Sequence, residues 1–404
     1  MPRLSDRLVA RMIRIAPVFN SITIHGFGDD EENALRTAHA AVKASSARTR
    51  VYLLSADPAM SRTLYRTANT NGTALNDEPT FLRKNTIAGL WHFLTSSVVF
   101  YTHGLFGSPR SGPRRLHVLL GHGHGPKSAT PNGLPFEYLA DLATTNSSTW
   151  GRQVILDLGI TATDAIAITG NPREDAFDES ADRSRLDALG IDPSRPVIVW
   201  LPTYRVSDHA RFGGWSDGNR LDTMPEYRSA VAALAASCKL HGVTLVTKSH
   251  ILDAQGVSAE WGVTAVTNDD LAAAGLSLYQ FLQLTDGLVS DFSSVWVDYL
   301  SAGSSIGLLI HDLDSYSKTR GLNEPHLMDV AGGLVLTGQS IIEEFVSDTA
   351  NGRVWHHSEQ FEAASRIGFH HGVMRADAVI DAVKSLARHH EVSLRGALTL
   401  GSPV

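Results

Sequence analysis

Along this chain, short β-branched apolar runs alternate with stretches whose apolar positions recur every three or four residues, the pattern of strands alternating with amphipathic helices. Ser21 to His25 and Val51 to Ser55 read as strands on either side of a helix over Asp30 to Ala44. A helical stretch over Phe81 to Leu94 leads into strands at Ser97 to Thr102 and Leu116 to Leu120, followed by a helix over Trp150 to Leu158 and a strand at Ala165 to Thr169. After a polar, turn-rich passage between Asp178 and Pro196 the alternation resumes. Val197 to Leu201, Val243 to Thr247, Val263 to Thr267 and Ser305 to Ile310 read as strands. Pro225 to His241, Leu276 to Leu284 and a closing stretch, Ala376 to Arg388, read as helices. Strands and helices alternating at this length predict parallel sheets covered on both faces. The expected architecture is therefore α/β, with two doubly wound Rossmann-like domains facing across a cleft. The expected limits are a basic amphipathic helix over residues 1–20, one domain over 21–185 and a second over 186–404.

The opening helix adds a detail. On a helical wheel Leu4, Leu8, Met12 and Ile15 share a face beside a basic stripe of Arg3, Arg7, Arg11 and Arg14. Such a helix suits either an anionic membrane surface or the side of its own domain.

Composition narrows the classes. With 404 residues, 43% of them hydrophobic, the chain can bury full cores in two or three domains. A formal charge of −7 gives no global attraction to nucleic acid. The single cysteine, Cys238, has no partner for a disulfide or a cysteine zinc site, which favours a reducing, cytoplasmic compartment. No run approaches the roughly 20 apolar residues of a bilayer-crossing helix, and no signal-peptide core is expected.

In open α/β sheets ligands sit beyond the carboxyl ends of the strands, and polar knots of this sequence fall there. After Leu116 to Leu120 comes Gly121-His122-Gly123-His124-Gly125-Pro126-Lys127, a glycine turn with a candidate general base and a cation. After Ala165 to Thr169 comes Gly170-Asn171-Pro172-Arg173-Glu174-Asp175, where Arg173 offers a fork for phosphate or carboxylate. Pro202-Thr203-Tyr204-Arg205 and Lys248-Ser249-His250 end two further strands. The last knot, Ser290-Asp291-Phe292-Ser293-Ser294, joins a strand to a helix start, where unpaired N–H groups and the helix dipole favour an anion. Asp291 there can cap the helix or accept from a ligand hydroxyl. Read singly, each knot also serves as an ordinary turn or cap.

As a set, in order and spacing from about residue 95 to 345, the knots resemble the family of CDP-glycerol glycerophosphotransferases, the teichoic-acid primases and polymerases with related capsule polymerases. The resemblance rests on His122-Gly123 with Lys127, on Gly170, Pro172, Arg173 and Asp175, and on Pro202-Thr203-Tyr204-Arg205. It rests further on Lys248 with His250, and on Asp291-Phe292-Ser293-Ser294 with Asp298.

That resemblance implies a GT-B-like fold, an acceptor bound by the N-terminal domain and a CDP-activated polyol, CDP-glycerol or CDP-ribitol, bound by the C-terminal one. It implies that His122 deprotonates a hydroxyl of a lipid-linked or saccharide acceptor, which attacks the β-phosphorus and expels CMP. Lys248, His250, Ser293 and Ser294 then hold the diphosphate; Lys127, Arg173, Arg205 and Asp291 are further binding candidates, with His250 also counted as catalytic. No cofactor is required, and a divalent metal is left open. The expected location, from the lone cysteine and the basic N-terminal helix, is cytoplasmic, peripheral on the inner face of the membrane. Departures from the family pattern concern substrate identity: His124-Gly125-Pro126 stands where Thr-Pro-Leu is usual, so His124 competes with His122 for the base, and Ile251 replaces a proline. The competing classes are a GT-B glycosyltransferase and a UDP-sugar 2-epimerase.

Overall fold

The computed structural model describes residues 4–70, 77–130, 138–162, 165–203, 206–207, 215–216, 224–248 and 262–389. The chain opens with α1 (Leu4–Ile15), β1 (Phe19–His25), α2 (Glu32–Ala44), β2 (Arg50–Ser55), α3 (Pro58–Thr70), β3 (Thr80–Arg83), α4 (Ile87–Thr95), β4 (Ser96–Tyr101), β5 (Leu116–Leu119), β6 (Leu142–Thr145), α5 (Trp150–Asp157) and β7 (Ile166–Ile168). Two 3₁₀ segments, Pro172–Asp178 and Arg183–Leu189, lead to β8 (Val197–Trp200), β9 (Val206–Ser207), β10 (Trp215–Ser216), α6 (Pro225–Leu240), β11 (Thr244–Thr247) and β12 (Thr264–Ala265). Then follow α7 (Asn268–Ala273), α8 (Leu278–Gln283), β13 (Gly287–Ser290), α9 (Val295–Tyr299), β14 (Ser305–Leu308), α10 (Leu313–Arg320), α11 (Leu327–Ala331), α12 (Gln339–Ala350), α13 (His357–Ile367) and α14 (Arg375–His389).

Two compact units result. Unit 1 holds Met1–His122, Pro135–Glu179 and His370–Val404; unit 2 holds Gly123–Leu134 and Ser180–Phe369. The sheet of unit 1 runs β3-β2-β1-β4-β5-β6-β7, all pairs parallel. The sheet of unit 2 runs β12-β11-β8-β13-β14, again parallel. Strand order reverses between β1 and β4 in the first and between β8 and β13 in the second, and a doubly wound sheet opens a ligand crevice at such a point. The strands are apolar on both faces because helices cover both sides: β4, β5, β8 and β13 are buried at every residue.

The alternation read from sequence is therefore present, with corrections. The stretch Phe81 to Leu94, expected as one helix, is divided between β3, which pairs with β2, and α4, which begins after the Thr86 side chain caps Gly89 N–H. The closing helix, expected in the second domain, belongs to unit 1. Its Val379, Ile380, Val383 and Ala387 enter the core formed by Ile22, Ile24, Val98 and Val118. Helical periodicity shows that a face will be buried but not against which sheet. Gly123–Leu134 likewise crosses into unit 2 although it follows β5 of unit 1.

In α1 the buried face is Val9 and Ile13, which join the core with Leu54, Val99 and Leu119. Leu8, at 59% exposure, and Ile15, at 84%, point outward beside exposed Arg7, Arg11 and Arg14. Among the described residues no helix is long and apolar enough to cross a membrane.

Candidate functional site

Unit 1 gathers its polar loops at the reversal between β1 and β4. The chain leaves β1 through Gly26-Phe27-Gly28 and leaves β4 through Thr102-His103; the exit from β5, one strand further, is Leu120-Gly121-His122. Gly121 takes a φ of +66°, a conformation that costs glycine nothing and other residues a steric penalty. That turn presents His122 exposed at the strand end. Its backbone is held on both sides: Asn33 Nδ2 donates to the Gly121 carbonyl at 3.2 Å, and Arg173 Nη1 donates to the His122 carbonyl at 2.6 Å. Asn33 Oδ1 in turn accepts from the Arg173 N–H at 3.1 Å, so one amide ties the first knot to the second.

Around His122 lie three more side chains that strand-end reasoning had not singled out. The His103 ring centroid is 4.0 Å from that of His122, and Phe27 lies 4.4 Å from His103 and 6.4 Å from His122. Glu31, just before α2, faces Arg173 at 3.9 Å. Burial pushes its carboxyl up to about 7, against the opposing pull of the Arg173 charge. Burial also lowers the imidazoles of His25 and His103 to about 4, the Lys84 charge contributing at His25. These imidazoles stay neutral at physiological pH. The rule that pointed to His122, a polar residue where a strand ends, applies equally to His103.

The second knot divides its work. Arg173 faces the His122 loop, whereas Asp175 caps α14, its carboxylate accepting from the N–H groups of Arg375 at 2.7 Å and Ala376 at 3.0 Å. The Arg375 guanidinium is 3% exposed and pairs with Glu174 at 3.2 Å, with Asp175 at 3.4 Å and with Asp178.

Unit 2 carries the other candidates. Across its own reversal, Asp291 after β13 accepts from the N–H of Thr203 at 2.9 Å and from its hydroxyl at 2.5 Å, joining the exits of β13 and β8. The same oxygen accepts from Ser293 N–H at 3.3 Å. The carboxylate thus shapes the turn that leads Ser293 and Ser294 into α9. Both serines are half-buried. Asp298 also turns inward, accepting from the Tyr279 hydroxyl at 2.5 Å, and fixes α9 on α8.

The segment that follows His122 is strapped beside this turn. Asn323 Nδ2 donates to the carbonyls of Gly125 at 2.7 Å and Lys127 at 3.0 Å, and its backbone N–H donates to the Pro126 carbonyl. A Cβ on Gly125 would lie 2.8 Å from Ser294 Cα, so only glycine fits against the turn. His124 is 1% exposed within unit 2, whereas His122 is exposed in unit 1. Lys248 is half-buried at the tip of β11, two strands from β13. At about 4.8 Å per strand its stem starts roughly 10 Å from the Ser293 turn. Arg205 and His250 lie outside the described residues. Nothing in the sequence around Asn323 marked it, because its role is set by a loop nearly 200 positions from its partners.

These features define a protein of two doubly wound parallel α/β units, each with shaped polar loops at its strand-order reversal, the GT-B type of architecture. The chain belongs to the CDP-Glycerol:Poly(glycerophosphate) glycerophosphotransferase family, whose sequence profile matches residues 147–363. It is 24% identical over 182 residues to the teichoic acid ribitol-phosphate polymerase TarK of Staphylococcus aureus (strain NCTC 8325 / PS 47), covering 43% of this chain and 33% of that protein. It is 23% identical over 191 residues to TarL of the same organism, covering 46% and 32%. The match thus spans about a third of the length of these relatives. Among solved structures the wall teichoic acid polymerase TagF superposes with a TM-score of 0.68 at 14% identity, over 96% of this chain and 93% of that one. A UDP-N-acetylglucosamine 2-epimerase superposes with a TM-score of 0.50 at 14% identity, over 93% and 97%. The fold is thus shared by both enzyme classes, and the family match separates them.

Proposed function

We propose that this chain transfers glycerol phosphate or ribitol phosphate from a CDP-activated donor to a hydroxyl of a lipid-linked or saccharide acceptor, in synthesis of a teichoic-acid-type polymer. His122 takes the proton of the acceptor hydroxyl, the new oxygen–phosphorus bond forms at the β-phosphorus, and the bond to the α-phosphate oxygen breaks to release CMP. Lys248, Ser293 and Ser294, with His250, hold the diphosphate where charge builds on the departing oxygen. Lys127, Arg205 and Asp291 complete the donor surroundings, Asp291 by shaping the turn. The observation that carries this reading is the exposed His122 at a strand end whose backbone is gripped from both sides, in a chain belonging to a family of glycerophosphotransferases. A base aimed at a hydroxyl needs such a fixed mount.

The test combines binding and turnover. Ligand binding to the folded state raises apparent stability by mass action. Selective stabilisation by CDP, CDP-glycerol or CDP-ribitol, CMP release with an acceptor, and loss of that release in His122→Ala with donor binding intact are the expected results. Stabilisation by uridine nucleotides alone sinks the reading in favour of a nucleotide-sugar enzyme.

The acceptor's lipid gives α1 a role as well: Leu8 and Ile15 dip into an anionic membrane surface while Arg7, Arg11 and Arg14 meet its headgroups, holding the protein peripherally at the cytoplasmic face. The outward exposure of these five side chains supports it. Leu8→Ser with Ile15→Ser should lower sedimentation with phosphatidylglycerol vesicles while Val9 and Ile13 keep the helix packed; undiminished sedimentation returns α1 to a purely structural role.

A further inference from the structure

We propose that His103 is a positioning residue for the reaction, holding the imidazole of His122 in its working orientation through ring-to-ring contact. The inference rests on the reading of His122 as the base. The main chain of His122 is fixed by Asn33 and Arg173, which leaves two side-chain torsions to be set. His103 packs directly on that ring: its centroid stands 4.0 Å from that of His122 at an interplanar angle of 49°. Phe27 closes the group, 4.4 Å from His103 and tilted 38°, and 6.4 Å from His122 at 27°. Rings packed offset or tilted against an exposed one reduce the rotamers open to it.

His103 acts as a ring and not as a charge. Burial keeps it neutral. It comes from the exit of β4, the strand next to β5 in the sheet, so both histidines are mounted on the same rigid edge. A mount on neighbouring strands is stiffer than one on a free loop, and misplacement of a base by about 1 Å can cost on the order of 10² in rate.

The experiment compares His103→Ala, His103→Phe and His103→Gln in the full chain. Two readouts are taken: CMP release with a CDP-polyol and acceptor, and the ring resonances of His122 in protein labelled at histidine. For the alanine variant the expected result is a 10- to 100-fold fall in kcat with donor KM within twofold, and movement of the His122 ring signals as the neighbouring ring current vanishes. Phenylalanine should restore kcat to within about threefold; glutamine should not. Recovery by glutamine and not by phenylalanine would overturn the proposal in favour of a proton relay. Unmoved His122 signals in the alanine variant would overturn it whatever the rates, and they are read in the folded protein whether or not it turns over. If His122→Ala itself keeps full activity, the base assignment falls, while the resonances still decide whether His103 orients that ring.

Discussion

Arg173 donates to the carbonyl oxygen of His122 at 2.6 Å, so the arginine of one strand-end turn grips the backbone of the candidate base in another. That nitrogen of the guanidinium is engaged with the protein backbone. Arg173→Ala should therefore lower kcat about 10- to 100-fold while leaving the KM for the CDP donor within twofold. Steady-state kinetics with both substrates varied separates this from a donor-binding role, in which KM would carry the loss.

Gly125 abuts Ser294 so closely that an added methyl group would stand 2.8 Å from a backbone atom. Gly125→Ala must push the turn before α9 aside. We expect a loss of about 1–3 kcal/mol in stability, seen by urea denaturation, together with weaker stabilisation by CDP in the thermal-shift assay. Unchanged CDP binding in a folded variant would detach this turn from the donor.

Arg375 sits among Glu174, Asp175 and Asp178 at 3% exposure. Removing one partner of a buried ionic group leaves the others uncompensated, at a cost of about 3–5 kcal/mol. Arg375→Ala should lower the denaturation midpoint accordingly and loosen α14, read as faster amide exchange over residues 375–389.

The pH dependence follows from groups of opposite sign. His25, His103 and His117 are lowered from 6.5 to about 4 in the folded chain, burial being the main cause. Between those values the unfolded chain binds more protons, so the stability they confer is lost as pH falls from 6.5 towards 4. Glu31, raised from 4.5 to about 7, does the reverse: the folded chain binds its proton, and stability falls as pH rises through that window. Each group contributes up to about 1.4 kcal/mol per pH unit. Among these four groups the three histidines outweigh the one carboxyl, so together they contribute acid lability between 4.5 and 6.5. In chemical denaturation at stepped pH, Glu31→Gln should steepen that loss and His117→Asn should flatten it.

How much of this was legible in the sequence depends on the range of the interaction involved. Strand Val197 to Leu201 and helix Pro225 to His241 were readable because their patterns are local, and they match β8 and α6 closely. The partner of the closing helix was not, since Val379 and Val383 meet residues of β1, β4 and β5 some 260 to 360 positions away. In α1 the helical wheel put Leu4, Leu8, Met12 and Ile15 on the apolar face, but packing turns Val9 and Ile13 inward and leaves Leu8 and Ile15 exposed. The rivalry between His122 and His124 was likewise undecidable from spacing, and burial distinguishes them: His124 is enclosed, His122 is not. His103 was within reach of the same strand-end reasoning but, like the apolar Phe27, stood outside any recognisable motif. Asp291 was found for its chemistry, and its partnership with Thr203 emerged only from the order of strands in the sheet.

The covalent chain passes between the two units after His122, Leu134, Glu179 and Phe369. This interleaving bears on how such enzymes can be recombined. A hybrid that exchanges everything after residue 180 to import another donor preference would carry α14 away from the core it completes and leave the Gly125 strap behind, facing a foreign Ser294. A transplant that respects the fold takes residues 123–134 together with 180–369 and leaves 370–404 with its host. Swapping specificity here is a matter of two simultaneous grafts, and single-crossover libraries should yield mostly insoluble products.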